Sequence, residues 1–204
     1  MHFLDRLNIR FYHDDRLKEW EGHHAKVLGW SSTESQQSRF NMIYQALNFE
    51  RKSVLDLGCG YGDFKTFLDQ RCQVAQYTGI DQQGSFIKQA KTLFSHQSNC
   101  RFFKADFSAV ALPPADIVIA SGSLNYRSRT KGYHPKLIKA MYRACHHAVA
   151  FNMLDSRYVS TGQLLAAHHP EEVLHFCRTL CPTTELLTNY SQEDFTIVMM
   201  KQVK

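Results

Sequence analysis

The chain has 204 residues, a length that fits one domain with a sizeable core and requires no second. Apolar residues make up 44 % and charged residues 21 %, which excludes a disordered chain, and the formal charge of +5 is spread along the sequence, which argues against a dedicated nucleic-acid-binding face. Six cysteines without a completed zinc pattern, and an N-terminus that mixes Asp5, Arg6, Arg10, Asp14 and Asp15 with its apolar residues, predict a reduced, soluble, cytoplasmic protein with no membrane segment.

From His13 to Leu28 the pattern is mixed and charged, with Leu17, Trp20, Ala25 and Leu28 available for one helical face. A second helix is predicted from the cap signal Ser31-Ser32-Thr33-Glu34 to about Asn48, burying Phe40, Ile43, Tyr44 and Leu47. Both precede the first strand, so they pack outside the sheet, either as a lid over a pocket or as cover for an edge of the core.

The chain is organised around Ser53 to Phe64, which reads as strand, glycine turn and helix. Val54, Leu55 and Leu57 suit a buried parallel strand, and Gly58, Gly60 and Gly62 remove Cβ atoms that would keep a ligand off the backbone. Dinucleotide-binding proteins carry a similar turn, but here Asp63 stands where their third glycine falls and Asp56 closes the strand. An anion beside the turn disfavours a pyrophosphate and favours a cation such as a sulfonium. Val54 to Gly62 resembles the first motif of the class I S-adenosyl-L-methionine-dependent methyltransferases.

That resemblance implies a Rossmann-like α/β fold, a seven-stranded mostly parallel sheet with helices on both faces and a C-terminal antiparallel hairpin. Residues 1–50 are expected to form an N-terminal helical lid that selects the substrate, and residues 51–204 the cofactor-binding core of a single domain. After a helix near Asp63 to Arg71, the strand Gln76 to Ile80 ends in Asp81, followed by Gln82. A carboxylate there can accept two hydrogen bonds from a ribose diol, or else cap the helix that starts near Gly84. A helix from Ser85 to Phe94 leads to a third strand, Cys100 to Lys104, which closes on Asp106 and Phe107. The resemblance implies that Asp106 binds the adenine amino group and the Phe107 N–H a ring nitrogen. Asp56, Gly58, Cys59, Gly60, Asp81, Gln82, Asp106, Phe107 and Ser121 are thus the expected cofactor contacts, and Arg39 could reach the cofactor carboxylate with its guanidinium fork.

Ala115 to Ala120 reads as the fourth strand, and the segment after it, Ser121 to Arg127, should face the transferred methyl group. That segment lacks both the Asp/Asn-Pro-Pro-Tyr/Phe signature of nucleobase amino methylation and a Pro-Cys pair. A helix that starts at Tyr133-His134-Pro135 and runs to about Cys145, a fifth strand Ala148 to Leu154, a helical region around Thr161 to Leu180 and a hairpin (Thr184 to Thr188 with Asp194 to Met200) complete the expected chain. Candidate catalytic residues are Asn125, Tyr126 and His134, and candidate substrate contacts are Tyr12, His13 and Trp30. The doublets His23-His24, His146-His147 and His168-His169 make no chelating pair on a helix, where adjacent residues point about 100° apart, so no metal is expected.

The leading expectation is an enzyme (EC 2.1.1) that transfers a methyl group to a small molecule and leaves S-adenosyl-L-homocysteine. Methylation of tRNA or rRNA, and a cofactor-binding protein without transferase activity, are the alternatives. A nicotinamide oxidoreductase is more distant.

Overall fold

β1 (Ser53–Leu57) is a run of five residues that becomes an inner strand of the sheet because apolar side chains point to both its faces. Val54 points into one core with Phe40, Ile43, Phe64 and Phe67, whereas Leu55 and Leu57 point into another with Leu137, Ile138, Met141 and Leu174. The period of two along the strand therefore assigns alternate residues to two helical layers. Parallel partners flank it, β2 (Gln76–Asp81) on one side and β4 (Ala115–Ala120) on the other. β3 (Cys100–Lys104) lies outside β2, and β5 (Cys145–Asp155) lies outside β4. The last two long strands, β7 (Thr184–Leu187) and β8 (Asp194–Met200), pair with each other antiparallel, and β8 also runs antiparallel to β5.

The order is β3-β2-β1-β4-β5-β8-β7, the seven strands expected, and an eighth, β6 (Ala167–His168), pairs with the end of β5. The order reverses between β1 and β4, so a crevice opens at their carboxyl ends. Helices α3 (Thr33–Ala46), α4 (Asp63–Asp69) and α5 (Gly84–Leu93) cover one face, and α6 (Tyr133–Ala144) and α7 (Pro170–Leu180) the other. The computed structural model describes residues 1–202; residues 203 and 204, the end of the expected core, lie outside the described residues. Among the described residues no helix is long and apolar enough to cross a membrane.

Two expected elements differ. The helix read from His13 to Leu28 is instead α1 (Phe3–Glu19) followed by a separate single turn, α2 (His24–Val27). The break falls at Trp20 to His23, where Gly22 takes φ 82°. The pattern of α1 is inverted: Asp5, Ile9 and His13 are buried while Phe3, Leu4 and Phe11 are exposed, so apolar periodicity did not announce it. The helical region expected from Thr161 begins only at Pro170, a residue suited to the first helical turn. Before it, Leu165 bridges to Tyr126 and Ala167–His168 forms β6, so residues 161–169 run beside the crevice as extended chain.

Candidate active site

The glycine turn after β1 is shaped by positive backbone angles, φ 79° at Gly58 and 55° at Gly60. Contrary to the expectation from sequence, its missing Cβ atoms leave no free room for a ligand. A Cβ on Gly58 would stand 2.3 Å from the Ser123 Cβ, and one on Gly60 would stand 2.8 Å from Leu28 Cδ2. Gly62 is likewise filled by Phe94 and Phe102. The glycines let the β4 loop and the segment after α2 press against the turn, and the ligand-facing surface is what remains of the main chain.

Around that turn one cavity is lined by Asp56, Gly58, Cys59, Gly60, Asp81, Gln82, Asp106, Phe107, Ser121, Asn125 and Tyr126, together with Tyr12, His13, Trp30 and Arg39. All but one of the expected site residues therefore meet in a single space. The exception is His134, whose Nε2 bonds to the Tyr126 carbonyl at 3.2 Å and whose ring packs on His168 at 4.4 Å. Burial, and then the neighbouring His168, hold His134 down to a pKa of about 4. It props the backbone of the β4 loop from behind.

The acids fall at the ends of three neighbouring strands. Asp81 accepts from Gly60 N–H at 3.0 Å with one oxygen and from Gln83 N–H at 2.8 Å with the other. It thereby ties the glycine turn to the start of α5 and keeps two acceptor positions. Asp56 accepts from the Tyr77 hydroxyl of β2. Burial raises the Asp56 carboxyl to about 7, against the Tyr77 hydrogen bond and with the help of Asp81 and Asp63; burial also raises Asp63 and Asp81. These shifts mean that burial disfavours the charged form of each carboxyl, which a cation placed beside them would favour again. Asp56, Asp63, Asp81, Asp106 and Glu193 line the cavity, and Arg39 is the only Lys or Arg side chain to do so among the described residues. A chain with net charge +5 thus holds an acidic hollow.

Four expected roles are modified by existing partners. Arg39 is buried, but its fork is engaged by Asp194 of β8 and, at 2.8 Å, by the Ser35 carbonyl, with its guanidinium 4.8 Å from the centre of the Trp30 ring. It clamps α3 onto the sheet rather than offering a free fork. Asp106 turns one oxygen to Ser108 N–H (2.9 Å) and hydroxyl (2.6 Å) and the other to Arg6 of α1 at 3.3 Å, so the lid stands where an adenine amino group was expected. Asn125 accepts from Leu154 N–H with its side-chain oxygen at 3.0 Å, fixing the β4 loop to β5. The Ser121 hydroxyl donates to Asn152 Oδ1 at 2.8 Å.

α1 forms the roof. Gln83 Nε2 donates to the Arg10 carbonyl and to Asp14, each at 3.2 Å, and Asp5 accepts from Ser128 Oγ at 3.0 Å and Arg129 N–H at 2.7 Å. Each contact lands on a loop that succeeds a strand. His13 completes the set, bonding to the Val27 carbonyl at 3.1 Å and the Tyr126 hydroxyl at 2.7 Å. Trp30 seats its ring over Gly122, where a Cβ would come within 2.5 Å of it. Asp63, Leu28 and Gln36 also line the cavity and were not anticipated; the hydrogen bond from Gln36 to Asp63, 2.9 Å, links α3 to α4 across 27 residues and leaves no local pattern.

A parallel sheet with this reversal, and acids ringing the crevice, define a Rossmann-like domain for a nucleoside-bearing, cationic ligand. Residues 54–148 match the family described as a methyltransferase domain. A Mycobacterium tuberculosis protein named as a methyltransferase is 29 % identical over 160 residues, 73 % of this chain and 93 % of that one. The trans-aconitate 2-methyltransferase of Delftia acidovorans is 28 % identical over 120 residues, 57 % of this chain but 43 % of that enzyme, so the chain spans less than half of the latter's length. The magnesium protoporphyrin IX methyltransferase of Synechocystis, solved with S-adenosylhomocysteine bound, has the same fold, with a TM-score of 0.68 at 13 % identity over 97 % of this chain and 100 % of that one. Residues 54–148 thus carry a methyltransferase domain, and the fold is the one shared by S-adenosylmethionine-dependent methyltransferases.

Proposed function

We propose that this methyltransferase (EC 2.1.1) binds S-adenosylmethionine in the acidic cavity and passes its methyl group to a small molecule, in the cytoplasm, as a single domain whose first fifty residues are the lid. The observation that carries the reading is Asp81: a buried carboxylate, tied by both oxygens to the turns it faces, with acceptor positions left for a ribose diol. The main chain at Gly58, Cys59 and Gly60, with Gln82, Phe107 and Ser121, would border the nucleoside and amino-acid ends, and Asp56 would lie near the positive charge. The acidic lining fits such a donor and not a dinucleotide, whose pyrophosphate would meet Asp56 and Asp63.

When bound, the donor supplies a methyl group already activated by its sulfonium. The chain's own work is to hold an acceptor in line and exclude water. α1 and Trp30 roof the cavity for that purpose, while Tyr12, Trp30, Asn125 and Tyr126 bound the acceptor's space. A roofed, acid-lined hollow suits a small acceptor and repels the phosphates of an RNA. Calorimetry tests the reading: S-adenosylhomocysteine should bind one site, and at about 100 times its dissociation constant stabilise the fold by about 2.7 kcal/mol, whereas NADH should do neither. Stabilisation by NADH alone would refute it.

A further inference from the structure

His13 and Tyr126 meet across the cavity from two elements 113 residues apart, and their hydrogen bonding has only one self-consistent assignment. The Val27 carbonyl can only accept, so Nδ1 of His13 carries the proton in that 3.1 Å bond. Burial keeps the ring neutral near pH 7, with a pKa of about 4, against Asp14 and with Arg16 as the charged neighbours on α1. Nε2 therefore holds a lone pair, and the Tyr126 hydroxyl must donate to it at 2.7 Å. With its proton committed, the Tyr126 oxygen has only lone pairs to offer a ligand, and no other protein partner for it occurs among the described residues. Rings of Tyr12 and Phe86 pack edge-on against His13 at 5.1 and 5.2 Å, so the imidazole is held in place.

A carboxylate acceptor would bring lone pairs to a site that already presents lone pairs. A hydroxyl or an amine would bring the missing hydrogen. Resting on the function assigned above, we propose that His13 takes up the acceptor's proton through the Tyr126 hydroxyl, and that the acceptor is a small molecule methylated on a hydroxyl or amine rather than on a carboxylate. As the acceptor's oxygen or nitrogen bonds to the methyl carbon, the carbon–sulfur bond breaks and its electron pair stays on sulfur. The acceptor's proton goes to the Tyr126 oxygen while the phenolic proton goes to Nε2, leaving a neutral phenol and an imidazolium. One positive charge is thus kept within the acidic cavity, and the proton returns to water on product release.

The test uses the whole protein, tritiated methyl donor and a small-molecule extract of the source cells. Labelled product that survives mild alkali, as ethers and methylamines do, is expected; label released as methanol marks a methyl ester and overturns the proposal. No labelled product, or no binding of S-adenosylhomocysteine, would instead sink the function on which it rests. His13→Gln keeps an acceptor near the Nε2 position and His13→Asn keeps a donor near Nδ1, but neither is a base. Both, and Tyr126→Phe, should lower kcat at least 100-fold while S-adenosylhomocysteine affinity changes by less than about fivefold. Full activity in His13→Gln would show that the pair only fastens the lid. A readout free of turnover is the 15N spectrum of the imidazole, in which Nε2 should appear unprotonated and shift in Tyr126→Phe; a protonated Nε2 would contradict the assignment.

Discussion

The cavity has two walls of different construction. On the sheet wall, each polar group is fixed by a partner on an adjoining strand or turn: Asp56 by Tyr77, Asp81 by Gly60, Ser121 by Asn152. On the lid wall, His13 is placed by Tyr126, Leu28 packs over Gly60 and Trp30 over Gly122, and Gln83, Asp106, Tyr126, Ser128 and Arg129 are what hold α1 down. The difference teaches which wall can move. The sheet wall cannot shift without breaking ladder hydrogen bonds, whereas α1 can lift by losing a handful of polar contacts.

The largest effect should come from the clamp beneath the lid. Arg39→Met strands Asp194 in the interior and should cost on the order of 3–5 kcal/mol in urea unfolding, with much of the loss recovered when Asp194 is also replaced by leucine. Two glycine substitutions then separate the walls. Gly58→Ala drives a Cβ into Ser123 at a positive φ and should lower global stability by about 3 kcal/mol. Gly122→Ala meets the Trp30 ring instead, which can yield, so a loss of about 1–2 kcal/mol should accompany a change in Trp30 fluorescence. Equal losses, without a fluorescence change, would erase the distinction.

Gln83→Ala should cost only about 1 kcal/mol, seen as faster hydrogen exchange in residues 3–19 with β1 and β4 unchanged. The smallest effect is that of mild acid. Burial lowers the folded His13 pKa to about 4 from 6.5, so between those values a lifted lid binds a proton that the seated lid does not. Stability of the seated state therefore falls as pH drops from 6.5 toward 4 and is complete above 6.5; at pH 6 lid opening should rise about fourfold, and not in His13→Asn. Opening that slows in acid would reverse the sign and exclude His13 as the sensor.

The same two walls differ in how far the sequence reveals them. Strand, glycine turn and terminal acid recur within short windows, so Asp56, Asp81 and Asp106 could be placed at the rim from spacing, and the strand order came from the resemblance. The partners of those acids could not. Arg6 on Asp106 and Asp194 on Arg39 are contacts across 100 and 155 residues, with no local pattern. α1 stayed hidden because Phe3 and Phe11 face outward while Asp5 and His13 face inward, against the usual sense of an amphipathic helix. His134 looked like its neighbours in the β4 loop region, yet the α6 start turns it behind the loop, toward His168. Cavity residues such as Gln36 and Leu28 became visible only once the helices were packed.

The most direct measurement is a calorimetric titration of S-adenosylhomocysteine into the wild type and into Asp81→Ala. A buried carboxylate that holds a ribose diol through two hydrogen bonds predicts single-site binding that weakens about 100-fold in the variant. Wild-type protein that takes up none, or a variant that binds as tightly as the wild type, would contradict it.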